Sequence, residues 1–253
     1  MSEKVREPAV AGMFYPVDPD ELRTQIEGFL AQAESQGPSP KAIISPHAGT
    51  IYSGPIAASA YARIQPEGIE RVVLLGPSHH VLLRGLAASS ADVWRTPLGD
   101  VPIEHPDDIP VNDGAHESEH SLELQLPFLQ TVLGKFKLIP LVVGDATQEE
   151  VADVLAALWG GPETLIVISS DLSHYESYDV ATEKDQAAAQ AIVDLDIRGL
   201  DSDNACGLIP IAGLLHLAKQ KGMRAELVDL RNSGDTAGAR DQVVGYGAYA
   251  FYE

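Results

Sequence analysis

The sequence predicts an α/β fold: a single three-layer α/β/α sandwich spanning residues 1–253 around a mostly parallel central sheet. Three observations predict it. Candidate strands alternate with candidate helices along nearly the whole chain. Several of those strands, Lys41–Ser45, Arg71–Leu75 and Leu165–Ser169 among them, are largely apolar runs, as strands covered on both faces should be. Length and composition suit one such unit, with 253 residues, 45% hydrophobic and 21% charged. There is no internal repeat, no low-complexity segment and no loop long enough to read as an interdomain linker.

Taken in order, Asp18 reads as the N-cap of a first helix, with Pro19 at its first position and Glu21 three residues after the cap. Leu22, Ile26, Phe29, Leu30 and Ala33 form its apolar face. The strand Lys41–Ser45 runs into a Pro46-His47-Ala48-Gly49 turn. Pro55–Ile64, rich in small residues, reads as a helix, and Arg71–Leu75 as a strand ending in Gly76-Pro77-Ser78-His79-His80. Leu86–Ser90 reads as a strand and Trp94–Ile103, folded about Pro97-Leu98-Gly99-Asp100, as a hairpin. His105–Ser118 is loop-like. Ser121–Leu133 has a helical pattern with Pro127 in its middle. Leu138–Val143 (strand), Gln148–Trp159 (helix), Leu165–Ser169 (strand) and Val180–Leu195 (helix) follow. Ile209–Lys221 is a helix closed by Gly222. The strands Ala225–Leu230 and Gln242–Tyr252 come last.

Charge narrows the function classes. Seventeen Lys and Arg against 37 Asp and Glu give a net charge of −20. A field of that sign repels phosphate backbones and anionic membrane surfaces, so neither nucleic acid nor membrane is expected as a partner. No apolar run approaches the roughly 18–20 residues of a membrane helix, and Met1 to Val10 lacks the apolar core of a secretory signal. The one cysteine, Cys206, cannot form an internal disulfide, which suits a reducing compartment. The expected location is cytoplasmic.

The chemistry is expected beyond the carboxyl ends of the strands, where open α/β sheets bind their ligands. Three strands end in histidine-bearing turns: His47 after Lys41–Ser45, His79 and His80 after Arg71–Leu75, and Asp171 and His174 after Leu165–Ser169. Parallel strands put these turns on one edge, so the imidazoles can converge as a first-row metal site or an acid–base site. Cys206 opens the segment leading into the helix at Ile209. A helix N-terminus there would favour its thiolate as a ligand or nucleophile, but a lone free cysteine reads more readily as a small buried apolar residue. His116-Glu117-Ser118-Glu119-His120 matches the H-E-x-x-H pattern of zinc proteases, but its surroundings are polar on all sides and read better as a capped helix start. Asp171 and His174 resemble two-thirds of a hydrolytic triad without a serine elbow, and no phosphate-binding glycine loop is present.

Together these pieces resemble the Memo family. Ala11-Gly12-Met13-Phe14-Tyr15, Pro46-His47-Ala48-Gly49, Gly76-Pro77-Ser78-His79-His80, Trp94-Arg95-Thr96-Pro97-Leu98-Gly99, Glu119-His120-Ser121-Leu122-Glu123, Ser169-Ser170-Asp171-Leu172-Ser173-His174 and Cys206-Gly207 occur in the family's order from about Arg6 to Tyr252. The resemblance implies a fold shared with class III extradiol dioxygenases. It also implies a mononuclear metal on His47, His79 and Cys206, with iron(II) expected first and copper or zinc as alternatives. Asp171 and His174 are then the expected acid–base pair. His120, Glu123, His80 and Tyr52 are expected beside the metal or against substrate. Extradiol dioxygenases use two histidines and a carboxylate, so a thiolate in the set shifts the expectation from ring opening to other redox chemistry. The implied function is a metal-dependent oxidoreductase acting on a small molecule. The alternatives are an adaptor that keeps the pocket, an extradiol dioxygenase, or a hydrolase using Cys206 or the metal. The implied partners are proteins of a co-occurring system with a radical-SAM member.

Overall fold

The computed structural model describes residues 3–201 and 203–253. A short strand β1 (Val5–Arg6) precedes α1 (Pro19–Leu30). Asp18 caps α1, its carboxylate accepting the N–H groups of Asp20 and Glu21 at 3.0 and 2.9 Å. β2 (Ala42–Ser45) leads into α2 (Thr50–Tyr61), which begins ahead of Pro55 rather than at it. Proline there lacks the N–H that would meet the Ile51 carbonyl. Ile51 lies in a first turn open to solvent, 54% exposed, where water can supply the missing donor.

β3 (Arg71–Pro77) and β4 (Leu86–Ala88) follow, then the expected hairpin, β5 (Val93–Thr96) and β6 (Gly99–Pro102). With β1 the hairpin makes a small separate sheet in the order β1-β5-β6. A short helix, α3 (Asp113–Glu117), lies in the segment that reads as loop. The pattern over Ser121–Leu133 divides into a 3₁₀ turn, Glu123–Gln125, and α4 (Leu126–Leu133). The division puts Pro127 in the first turn of α4, where its missing N–H is not needed.

The remaining elements are β7 (Lys137–Val143), α5 (Gln148–Leu158), β8 (Thr164–Ser169), β9 (His174–Glu176), α6 (Tyr178–Val193), α7 (Leu208–Lys221), β10 (Arg224–Asn232) and β11 (Val243–Tyr252). Gly222 ends α7 in the left-handed conformation at φ +68°, as its position in the sequence predicts.

The main sheet runs β10-β11-β2-β8-β3-β7-β4, with β9 also paired to β11. Only β2, β8, β3 and β7 pair in parallel. β10, β11, β9 and β4 pair antiparallel, so the sheet is mixed rather than mostly parallel. The connection 233–242 is too short for the crossover of about a dozen or more residues that a parallel pair needs, so β10 and β11 form an antiparallel pair.

Side-chain alternation divides the core in two. Ile43, Val72, Leu74, Leu165 and Val167 pack with α1, α2 and α4. Ile44, Val73, Leu75, Ile166 and Ile168 pack with α5, α6 and α7 on the other face. Those are the three layers. No helix of the described residues is long and apolar enough to cross a membrane. Ser45 pairs in register with Ser169, so the turns after β2 and β8 leave the sheet side by side.

α5 and α7 touch through Gly213. A Cβ there would lie 2.3 Å from Val151 Cγ1 and 2.4 Å from Val151 Cβ, and the latter cannot rotate away. Gly213→Ala is expected to push the helices apart and lower unfolding stability by about 1–3 kcal/mol, measured by urea denaturation. An unchanged urea midpoint would contradict this packing.

Candidate metal centre

His47 from the β2 turn, His79 from the β3 turn and His120 from the turn before α4 meet at the expected sheet edge. One ring nitrogen from each lies within 4.8 Å of the others. The ring centroids are 5.3 Å apart for His47–His79, 5.5 Å for His47–His120 and 4.7 Å for His79–His120. Glu119 holds His79 at two points, accepting its backbone N–H at 2.6 Å and its Nδ1–H at 2.9 Å. It also accepts the Ser121 N–H at 2.8 Å and lies 3.5 Å from His120 Nδ1. Glu119 is 0% exposed. Burial pushes its pKa up, but the hydrogen bonds and charge of His79, with the N–H groups of His79 and Ser121, outweigh that and keep it below the usual carboxylate range. A carboxylate on Nδ1 leaves His79 Nε2 as the nitrogen available to a ligand.

His47 is buried. Its backbone N–H donates to Asp171 Oδ1 at 2.7 Å, and its Nδ1 lies 2.8 Å from Ser169 Oγ. Burial, followed by the neighbouring His79 and His120, pushes its pKa well below the usual histidine value. Burial and His79 lower His120 to about 4. At neutral pH these two rings are therefore uncharged, with lone pairs free for a cation. Phe14 closes one side, its ring centroid 5.0 Å from that of His120.

Cys206 Sγ lies 3.4 Å from His47 Nε2 and accepts the Asp171 N–H at 3.3 Å. Its surroundings without a metal disfavour the thiolate. Desolvation and the nearby Asp171 carboxylate push its pKa up to about 12, and the helix end does not offset them. Asp171 itself is buried, and burial raises it to about 6 against the His47 N–H bond that favours its charge. His174 is exposed. Its Nδ1–H donates to Leu172 O at 2.8 Å, because a carbonyl only accepts, which leaves Nε2 as the ring nitrogen not engaged by that bond.

The comparisons with known proteins agree with this pattern of residues. A family model described as "Memo-like protein" matches residues 6–250. The chain belongs to the Memo family. It is 40% identical to a "MEMO1 family protein" of Aquifex aeolicus, covering 96% of this chain and 97% of that one. A namesake in Sulfolobus acidocaldarius is 37% identical with the same two coverages, and one in Ignicoccus hospitalis 38%, covering 98% of each.

In this Memo chain the residues expected at the site do not all converge. His120 joins the histidine group rather than standing beside it, and Cys206 touches the group through His47. His80 sits at the rim, its ring centroid 6.4 Å from that of His79, and Tyr52 is exposed in the first turn of α2. Glu123, expected beside the metal or substrate, is occupied elsewhere. Its carboxylate pairs with Arg6 and accepts Tyr15 Oη–H at 2.6 Å and the N–H groups of Ala9 and Val10 at 2.8 and 3.1 Å. It anchors the N-terminal segment that carries Phe14.

Sequence reading gives Glu119 no role of its own, although a carboxylate directly preceding a site histidine is visible in the motif. It sets Ser169 aside as a nucleophile and passes over Gln125. The zinc-protease reading of His116-Glu117-Ser118-Glu119-His120 fails, because α3 ends at Glu117 and the two histidines share no helical face. His116 is buried against Trp94, with its Nε2–H donating to Ala87 O at 3.1 Å.

Two predictions follow from these placements. Glu123→Ala leaves the Arg6 guanidinium buried without its partner and is expected to cost about 3–5 kcal/mol of stability in urea unfolding. His116 supplies a pH test. Burial lowers it from an ordinary 6.5 to about 4, so the unfolded chain takes up that proton first as pH falls. Its contribution is complete above pH 6.5 and lost toward pH 4. The difference between the stability–pH curves of wild type and His116→Gln should change across that window and be flat above it. A constant difference would contradict a buried neutral His116.

Proposed function

We propose that this Memo-family chain holds one metal ion on His47, His79 and His120, with Cys206 as an adjoining sulfur donor, and acts as an oxidoreductase on a small molecule. The observation that carries the reading is the convergence of three imidazoles from three separate turns, two of them, His47 and His120, kept neutral by burial and the neighbouring His79. A cation relieves that crowding of lone pairs. The donor set is nitrogen with sulfur close by, which suits iron(II) first, with copper or zinc as alternatives. When bound, such an ion supplies redox or Lewis-acid chemistry at the mouth of the sheet.

The chain's own residues would do the rest. Glu119 orients His79. Asp171, raised to about 6 by burial, is poised to hold or release a proton beside His47. His174, with Nε2 free, is placed to move a proton between site and solvent. The three-layer arrangement also suits the extradiol-dioxygenase likeness that the family resemblance implies. A second reading, a binding protein that keeps the metal group without turnover, is supported by exposed apolar side chains in the same turns and the segment beside them: Met13, Ile51, Leu82 and Tyr175.

Protein purified without oxygen and without a metal-binding tag is expected to carry near-stoichiometric iron or copper by elemental analysis. His47→Ala and His79→Ala should lose it while keeping the wild-type circular dichroism. Cys206→Ser reports whether sulfur belongs to the donor set. Wild-type protein that carries no metal and takes none up on titration would end the metal reading and leave the binding-protein reading.

A further inference from the structure

Behind His47 lies a hydrogen-bonded chain that none of the preceding roles explains. Gln125 Nε2–H donates to Pro46 O at 2.9 Å and to Ser169 Oγ at 2.8 Å, while Tyr61 Oη–H donates to Gln125 Oε1 at 2.8 Å. A carbonyl can only accept, so the Pro46 contact fixes which end of the amide faces Ser169. The Ser169 hydroxyl sits 2.6 Å from Ser121 O, another acceptor, so its one proton is committed there. Ser169 Oγ therefore has only lone pairs to offer His47 Nδ1 at 2.8 Å, and the proton in that contact must belong to the imidazole. Tyr61, Gln125, Ser169 and Ser121 are all fully buried, so water is not available to rearrange the pattern.

We propose that Tyr61, Gln125 and Ser169 are positioning residues that lock His47 in its Nδ1–H tautomer and aim its Nε2 lone pair into the histidine group, setting how tightly that group holds a metal. The neutral histidine side chain in water favours the opposite tautomer, with the proton on Nε2, so the lock has something to overcome. The arrangement parallels Glu119 on His79, with a neutral hydroxyl in place of a carboxylate. The inference rests on reading His47 as a ligand, and the test separates the two.

Side-chain ¹⁵N NMR of metal-free wild-type protein is expected to show His47 protonated at Nδ1 and bare at Nε2. Ser169→Ala, which removes the acceptor, should move that proton to Nε2, where Cys206 Sγ can accept it. Zn²⁺ affinity, measured by competition titration, should fall about 10–100-fold. Ser169→Thr, which restores a hydroxyl, should recover both readouts. A wild-type His47 protonated at Nε2 would overturn the lock without any variant having to fold. So would a folded Ser169→Ala protein with wild-type tautomer and affinity. Wild-type protein that shows the Nδ1–H tautomer but takes up no Zn²⁺ would overturn the metal reading and the ligand-aiming role while leaving the tautomer assignment intact.

Discussion

One buried negative charge organises the site. Glu119 has no solvent contact, and an isolated carboxylate in such a place would take up a proton rather than pay for its desolvation. It stays ionised because its oxygens meet two N–H groups from His79 and one from Ser121. Those bonds fix two things together. They hold the turn after β3 against the turn before α4, and they turn a lone pair of His79 toward His47 and His120. Ser121 Oγ–H adds a second link between the two turns, donating to Pro77 O at 3.0 Å. The histidine group thus depends on a charge that never leaves the protein interior.

The N-terminal segment is tied down by a second buried carboxylate of the same motif. Glu123 collects the Arg6 side chain, the Tyr15 hydroxyl and two backbone N–H groups. Arg6 in turn donates to the carbonyls of His116 and Glu119 and lies 4.6 Å from the Trp94 ring centroid. The Thr50 N–H donates to Phe14 O at 2.8 Å, joining the segment to the start of α2. Two carboxylates four residues apart therefore play different parts. Glu119 faces the imidazoles, and Glu123 faces the strap that walls them.

What the sequence made legible follows from how far each signal reaches. Asp18, Pro19 and Gly222 are local signals, and the helices start and stop at them. The turns bearing His47 and His79 were readable because parallel strands put their carboxyl ends on one edge. Pro55 misled, because a proline within a helix and one at its start look alike when the preceding turn is weakly patterned. β1 and β9 are too short for alternation to register. His120 comes from the turn just before the 3₁₀ segment Glu123–Gln125, so its entry into the group is set by tertiary packing that a helical pattern over Ser121–Leu133 does not reveal. Glu123 was assigned to the site by its neighbours in the motif, and nothing local reveals that Arg6 waits for it. Cys206 shows the limit most clearly: the helix N-terminus is visible in sequence, whereas the desolvation and the Asp171 charge that raise its thiol pKa are tertiary.

On the proposed metal reading, the chain's charge and its histidine group would select cations in different ways. A net charge of −20 draws in cations of every kind, and most abundantly hard ones that favour oxygen. The group itself has little oxygen to give. Both oxygens of Glu119 are taken by N–H donors, and Asp171 Oδ1 is bonded to the His47 N–H. What faces inward are imidazole nitrogens and, next to His47, sulfur. Magnesium and calcium seek six or more oxygen ligands or their own water, and match such a set poorly. First-row transition metals match it well. The surface field can thus raise the local concentration of all divalent ions, while discrimination among them would be left to the imidazole nitrogens that Glu119 and Ser169 hold in place.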